Sequence, residues 1–240
     1  MSSNQSQGNL RRLGRGLRDR ITRQAGRPYV AAPHRYWERR HQRYGGRLDG
    51  VGQIGLGHEA NERDYEAKWE HIEDLLDQFE VTETWSVIDA GCGIGWFTER
   101  LVERGHETHG VDFSQEAVSL ARERTGDRAT FEVSPLDSWT PHEEADLVLC
   151  IDVLFHIVDD SAWHKALDGL ADATRPGGLL VIQEHLENGA SSEVPHVKWR
   201  AMSDYQKALP GWELVDHVRY DLPASGSRKD LIVWQRTAPT

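Results

Sequence analysis

The stretch that most constrains this chain spans residues 86–112, where Val87-Ile88 runs into Asp89-Ala90-Gly91-Cys92-Gly93-Ile94-Gly95. A short apolar run that stops at a glycine-rich turn reads as the end of a buried strand. Gly91, Gly93 and Gly95 let the chain bend tightly and bring bare backbone against a ligand. Residues 96–102 continue at helical spacing, with Phe97, Leu101 and Val102 on one face. A second strand is expected over residues 108–111, ending at Asp112. A tight turn between strand and helix would by itself account for the glycines. Asp112 adds the signal of a ligand.

Asp112 lies 19 positions beyond Gly93, where an α/β nucleotide fold places a carboxylate to accept bonds from ribose hydroxyls. The dinucleotide pattern G-x-G-x-x-G would need glycine at position 96, which here is Trp96. A helix opened by glycines suits a pyrophosphate. Asp89, just before the turn, would repel one and suits a ligand that bears an amino group. Residues 89–95 match D/E-x-G-x-G-x-G at every fixed position, and here the chain resembles the class I S-adenosylmethionine-dependent methyltransferases.

The motif-bearing resemblance covers about residues 84–186. It implies a doubly wound, mostly parallel seven-stranded α/β sheet, with an N-terminal helical cover and a small cap before the last two strands. S-adenosylmethionine is the implied cofactor, held by Asp89, Gly91, Cys92, Gly93, Gly95, Asp112, Phe113, Pro135, Leu136, Ile151 and Asp152. Many relatives place an acidic residue after the third strand to bond the adenine amino group. Pro135 occupies that register here and Asp137 follows two positions on, so backbone and Leu136 contacts would have to serve.

With 240 residues the chain makes one large domain or two small ones. No apolar run approaches membrane-spanning length and no signal segment opens the sequence, so a soluble cytoplasmic protein is expected. Cys92 and Cys150, both at strand ends, read as buried reduced thiols, and zinc-ligand spacing is absent. Charge is uneven. Residues 1–49 hold twelve arginines against Asp19, Glu38 and Asp49, so of the net −11 the remainder carries −20. Such a body is unsuited to hold nucleic acid electrostatically.

Leu10, Leu13, Leu17 and Ile21 recur at helical spacing among arginines, a basic amphipathic helix weakened by Gly14 and Gly16. It could meet a membrane surface, RNA or an acidic partner, or act as a transit peptide; pairing with the acidic body of this or a neighbouring subunit is the reading preferred. A short helix is expected over residues 34–43 and a glycine-rich lid or connector over 45–57, so residues 1–58 form arm and lid. Residues 59–240 form the cofactor domain, beginning with a helix over 59–79. Ser114 is expected to cap a helix to 124 and Asp160-Ser161 one to 174, and a helix is expected to begin at Ser203 and run to 209. Strands are expected at 129–133, 145–151, 179–184, 212–220 and 230–235, with a turn at Arg175-Pro176-Gly177-Gly178 and a cap over 186–210.

Methyl transfer to a hydroxyl requires a base as well as an in-line approach. His156, a few residues beyond the apolar strand 145–151, is the first candidate; a histidine that packs on the cofactor or bonds its own loop would occupy the same place. Glu184 and His185, at the next strand end, are the second pair. Tyr36 and Trp37 from the cover, and His196, Trp199 and Arg200 from the cap, are acceptor candidates. Asp152, Glu184 and His185 could together bind a divalent cation, but no metal is expected because the paired-carboxylate patterns of such enzymes are missing.

The leading expectation is methyl transfer to a hydroxyl of a sugar or specialised metabolite. N-methylation of a small amine stands second. A cofactor-binding protein without catalysis, docked through its basic arm, and a nicotinamide-dependent oxidoreductase are the other classes. A small-molecule acceptor is the expected partner, with a homo-oligomer left open.

Overall fold

A computed structural model of the protein describes residues 33–81, 83–186 and 196–238. The basic helix expected within residues 10–21, and cap residues 187–195, lie outside them.

Two helices precede the sheet: α1 (Pro33–Tyr44) and α2 (His58–Gln78). Then follow β1 (Ser86–Ala90), α3 (Trp96–Glu103), β2 (Glu107–Asp112), α4 (Gln115–Thr125), β3 (Ala129–Val133) and β4 (Ala145–Ile151). The chain closes with α5 (Asp160–Ala173), β5 (Thr174–Glu184), α6 (Met202–Ala208), β6 (Trp212–Asp221) and β7 (Arg228–Arg236). Among the described residues the strands form one seven-stranded sheet, ordered β3-β2-β1-β4-β5-β7-β6. β1 to β5 run parallel, and β7 is antiparallel to both β5 and β6. This is the doubly wound, mostly parallel sheet that the alternation of strands and helices implied.

Both faces are covered, which is why β4 (Ala-Asp-Leu-Val-Leu-Cys-Ile) is nearly continuous in apolar residues. On one face Ile88, Val148, Cys150, Leu180 and Ile182 pack with Trp163, Leu167 and Leu170 of α5 and Tyr205 of α6. On the other, Val87, Leu147, Leu149 and Val181 pack with Trp69, Ile72 and Leu76 of α2 and Leu101 of α3. Leu48, from the glycine-rich segment, is 2 % exposed and belongs to this second core, so the expected boundary at residue 58 is not a gap in the packing. The strand order reverses between β1 and β4, and a doubly wound sheet binds ligands beside the carboxyl ends at such a point.

Three local expectations are corrected. Asp159, not Asp160 or Ser161, caps α5: its Oδ1 accepts the Ala162 amide at 2.9 Å. α6 begins at Met202, one residue before the expected Ser203, and the Asp204 carboxylate takes the Ala201 amide at 2.9 Å. Arg175 to Gly178 is not a free turn but a bulge within β5, since Thr174 already pairs with Ala145 and pairing resumes at Leu179 with Leu147. Ser114 does cap α4, accepting the Ala117 amide at 3.1 Å. Among the described residues no helix is long and apolar enough to cross a membrane.

Candidate active site

A cavity of about 320 Å³ opens at the carboxyl ends of β1, β2 and β4, and its size falls in the range of small-ligand pockets. The turn after β1 forms one wall. Gly91 and Cys92 donate their amides to the Val111 carbonyl at 2.7 and 3.1 Å, which fastens the turn to the end of β2. Gly91 has φ +81° and lies so close to the Val153 side chain that a Cβ there would collide with it. Gly95, at φ +74°, serves packing instead: a Cβ would sit 2.8 Å from that of Ala121 on α4.

Asp112 ends β2 on the cavity wall. Its Oδ2 accepts the Gly93 amide at 3.0 Å and its Oδ1 the Ser114 amide at 2.9 Å. Burial nevertheless raises its carboxyl to about 6, against the lowering effect of those two amides. Each oxygen keeps a lone pair beyond the amide it accepts. Asp89 lies beneath the turn. It is 2 % exposed, takes the Thr98 hydroxyl at 2.6 Å, and is raised by burial to about 6. Neither Asp89 nor Gly95 lines the cavity, whereas Gly91, Cys92, Gly93, Asp112, Phe113, Pro135, Leu136, Ile151 and Asp152 do. Asp89 thus stands where it can orient the turn.

Helix α1 roofs the cavity. His34, Trp37 and His41, one face at helical spacing, all line it, while Tyr36 points off that face toward His196 at 6.1 Å between ring centres. The roof is fixed by a chain of polar bonds. Ser114 Oγ donates to Glu38 at 2.5 Å and meets His41 Nδ1 at 2.8 Å. The hydroxyl's one proton goes to Glu38, so His41 must donate from Nδ1. Burial, helped by Arg40, lowers His41 to about 4 and keeps it neutral. His34 packs edge-on against Phe113 at 4.8 Å.

Asp152 follows β4 in a left-handed conformation, φ +60°, which an aspartate adopts only where its surroundings hold it. Lys68 of α2 pairs with its Oδ2 at 2.7 Å, and Lys229 of β7 with its Oδ1. Burial alone would raise this carboxyl, but the two ammoniums hold it well below the usual carboxylate range. A carboxylate already shared by two cations is a poor cation ligand. Among the described residues no three His, Cys, Asp or Glu side chains converge to hold a metal ion.

His156 lines the cavity from the loop after β4, with its ring centre 5.1 Å from that of Trp37. Its Nδ1 bonds to the His196 carbonyl at 3.0 Å; a carbonyl only accepts, so Nδ1 carries the proton. Burial lowers this histidine to about 3. Burial thus favours the neutral ring and makes His156 a weaker proton acceptor than a free imidazole.

The remaining candidates lie off the cavity wall. Glu184 is 1 % exposed, accepts the Phe155 amide at 3.3 Å, and burial together with Asp152 pushes it up to about 8. His185 bonds the Arg228 carbonyl at 2.7 Å and packs on Trp199 at 4.4 Å. Arg200 bonds the Ile157 carbonyl at 3.0 Å, and the Lys198 amide donates to the Phe155 carbonyl at 2.8 Å. The described cap residues thus brace the His156 loop from behind; they do not reach into the cavity. Val51, Tyr65, Trp96 and Phe97 complete its walls. Tyr65 and Phe97 stack at 5.4 Å, and the i, i+1 aromatic pair after the glycine turn was the available signal.

Residues 87–178 match the methyltransferase domain family. With the sheet order above, the fold is that of the class I S-adenosylmethionine-dependent methyltransferases. Over 87 % of its length the chain superposes on magnesium protoporphyrin IX methyltransferase from Synechocystis PCC 6803 with bound S-adenosylmethionine, covering 97 % of that chain with a TM-score of 0.69 at 18 % identity. It is 29 % identical over 137 residues to the ubiquinone biosynthesis O-methyltransferase of Hydrogenovibrio crunogenus, 55 % of this chain and 52 % of that one. To the trans-aconitate 2-methyltransferase of Rhizobium leguminosarum bv. trifolii it is 34 % identical over 112 residues, 46 % of this chain and 42 % of that one. The chain spans about half the length, or less, of these curated relatives.

Proposed function

We propose that this protein transfers a methyl group from S-adenosylmethionine to an oxygen of a small-molecule acceptor. The observation that carries the reading is the convergence of the Gly91–Gly93 turn, Asp112 and His156 on one cavity beside the β1/β4 reversal. The residues suit this cofactor. Asp112 keeps acceptor capacity for ribose hydroxyls, Phe113 and Leu136 offer apolar surface for a base, and the turn presents backbone without a Cβ. When bound, S-adenosylmethionine supplies an electrophilic methyl group on a sulfonium. The chain's part is to align the acceptor and exclude water, which aromatic walls from Trp37, Tyr65, Trp96 and Phe97 do.

Oxygen as the target is supported by the relative named for ubiquinone O-methylation. A sugar or specialised-metabolite hydroxyl has to lose its proton during transfer, and His156, lowered to about 3, serves better to orient such a hydroxyl than to remove its proton. Calorimetry with S-adenosylhomocysteine and NAD, followed by transfer of labelled methyl to oxygen and amine acceptors, tests the reading. Binding of NAD alone would refute it, and cofactor binding with no transfer to any acceptor would leave a non-catalytic binding protein.

A further inference from the structure

Among the described residues, no carboxylate balances the charge of Arg40. The residue is 9 % exposed, and its Nη2 donates to the carbonyls of Asp49, at 3.0 Å, and Gly52. Its Nε is buried without a hydrogen-bond partner. Among the described residues no carboxylate pairs with it; the ionisable groups that act on it are the phenols of Tyr36, Tyr65 and Tyr44. Its guanidinium carbon lies 4.8 Å from the ring centre of Trp37, which lines the cavity, as does its chain neighbour His41. Carbonyl partners and a ring face solvate a guanidinium but leave its full charge in place, and a buried charge is retained at a cost unless an anion meets it.

The carboxylates on the wall are not that anion. Asp112 and Asp159 accept backbone amides elsewhere, and neither pairs with Arg40 or acts on its ionisation. Asp152 is shared between Lys68 and Lys229, so that trio itself leaves one positive charge over. Asp137 also lines the cavity, and it does not act on the ionisation of Arg40. Of the histidines on the wall, His41 and His156 are both lowered by burial, with Arg40 contributing, which makes each a weak acceptor for a hydroxyl proton. A phosphate would want several cationic donors on the wall; a single guanidinium behind an aromatic roof suits a monoanion.

Building on the function proposed above, we propose that the acceptor is a carboxylic acid methylated on its carboxylate oxygen, with the Arg40 guanidinium supplying the balancing charge. The carboxylate oxygen forms the new bond to the methyl carbon with its own lone pair, and the methyl–sulfur bond breaks with its pair left on sulfur. The product is a methyl ester, and no proton has to leave. Arg40 is a specificity residue in this scheme, set behind Trp37 and His41.

The test begins with the wild-type protein saturated with S-adenosylhomocysteine. A panel of aromatic and aliphatic monocarboxylic acids, each paired with its primary amide, is titrated by calorimetry. Acids that bind at least about tenfold more tightly than their amides support the proposal, and binding of no acid, or equal binding of amides, overturns it. Arg40→Met should erase the preference while the S-adenosylhomocysteine affinity stays within about twofold, and Arg40→Lys should keep part of it. A preference unchanged in Arg40→Met overturns the role of Arg40. With tritiated methyl donor, the product label should be released by mild alkali, as an ester's is. Alkali-stable label on alcohols would keep oxygen methylation and overturn the carboxylate, whereas label on amines alone would remove the underlying reading as well. The acid-against-amide comparison needs no variant, so a poorly folding Arg40→Met does not decide the matter.

Discussion

At Asp112 both carboxylate oxygens accept backbone amides, so the side chain is held rigid before any ligand arrives. Asp112→Ala would remove the acceptor for a ligand's hydroxyls and should weaken S-adenosylhomocysteine binding by about 1–3 kcal/mol, read by calorimetry. Unchanged affinity would assign Asp112 to the turn alone. His156 gives a pH prediction. Because burial lowers it to about 3, the pH–rate profile should show no acid limb near 6–7 that disappears in His156→Ala. Glu184 is buried with a carboxyl raised to about 8, so the folded state holds a proton that the unfolded state releases near 4.5. Its contribution is fully present below pH 4.5 and is lost as pH rises through 8. Relative to wild type, Glu184→Gln should therefore gain stability between pH 5 and 9, by a few kcal/mol at most (on the order of one per pKa unit), in denaturant titrations. A constant difference across that range would mean that Glu184 is ionised throughout.

At the scale of elements, the parts legible in the sequence are those in which neighbours in the chain are neighbours in the site. Residues 87–95 show the strand, the turn and the next helix in one run, and β4 shows its burial through unbroken apolar character. The face of α1 was half legible. Trp37 was among the cover candidates, but the spacing of His34, Trp37 and His41 is what selects the wall, and Tyr36 falls a third of a turn away. What the sequence hid are pairings across distance: Lys68 and Lys229 close on Asp152 from 84 and 77 residues away, and no local pattern marks either one. Gly95 shows the same limit within the motif, since it packs on Ala121 of α4, 26 residues on. Gly95→Ala combines a left-handed backbone with a 2.8 Å contact and should cost about 2–3 kcal/mol of stability in chemical denaturation. Such a loss with cofactor affinity retained in the folded fraction is the expected pair of results; weakened binding at unchanged stability would place the glycine on the ligand side.

Across the whole molecule, the N-terminal segment and the sheet are joined by two kinds of contact, and truncation separates them. Every described residue on the cavity wall lies at or beyond His34, and α1 begins at Pro33. α1 contributes His34, Trp37 and His41 to the wall, and it is held by Glu38 and His41 on the Ser114 hydroxyl, itself the cap of α4. The two cores, in contrast, are built from α2 to β7, and Leu48 and Val51 are the contributions of the preceding segment. Removing residues 1–32 should therefore leave both the folded state and the S-adenosylhomocysteine affinity as they are. Removing residues 1–44 should leave a cooperatively folding sheet, because no core residue is lost, but should open the cavity roof and free Ser114 and Asp112 to water. Its affinity should fall at least about tenfold, as expected when ligand-facing apolar and polar contacts are lost together. Thermal unfolding by circular dichroism and calorimetry on the two truncations give the comparison. A collapse of folding in the longer truncation would show that α1 is part of the core, and equal affinity in both would show that the roof does not contact the cofactor's side of the cavity.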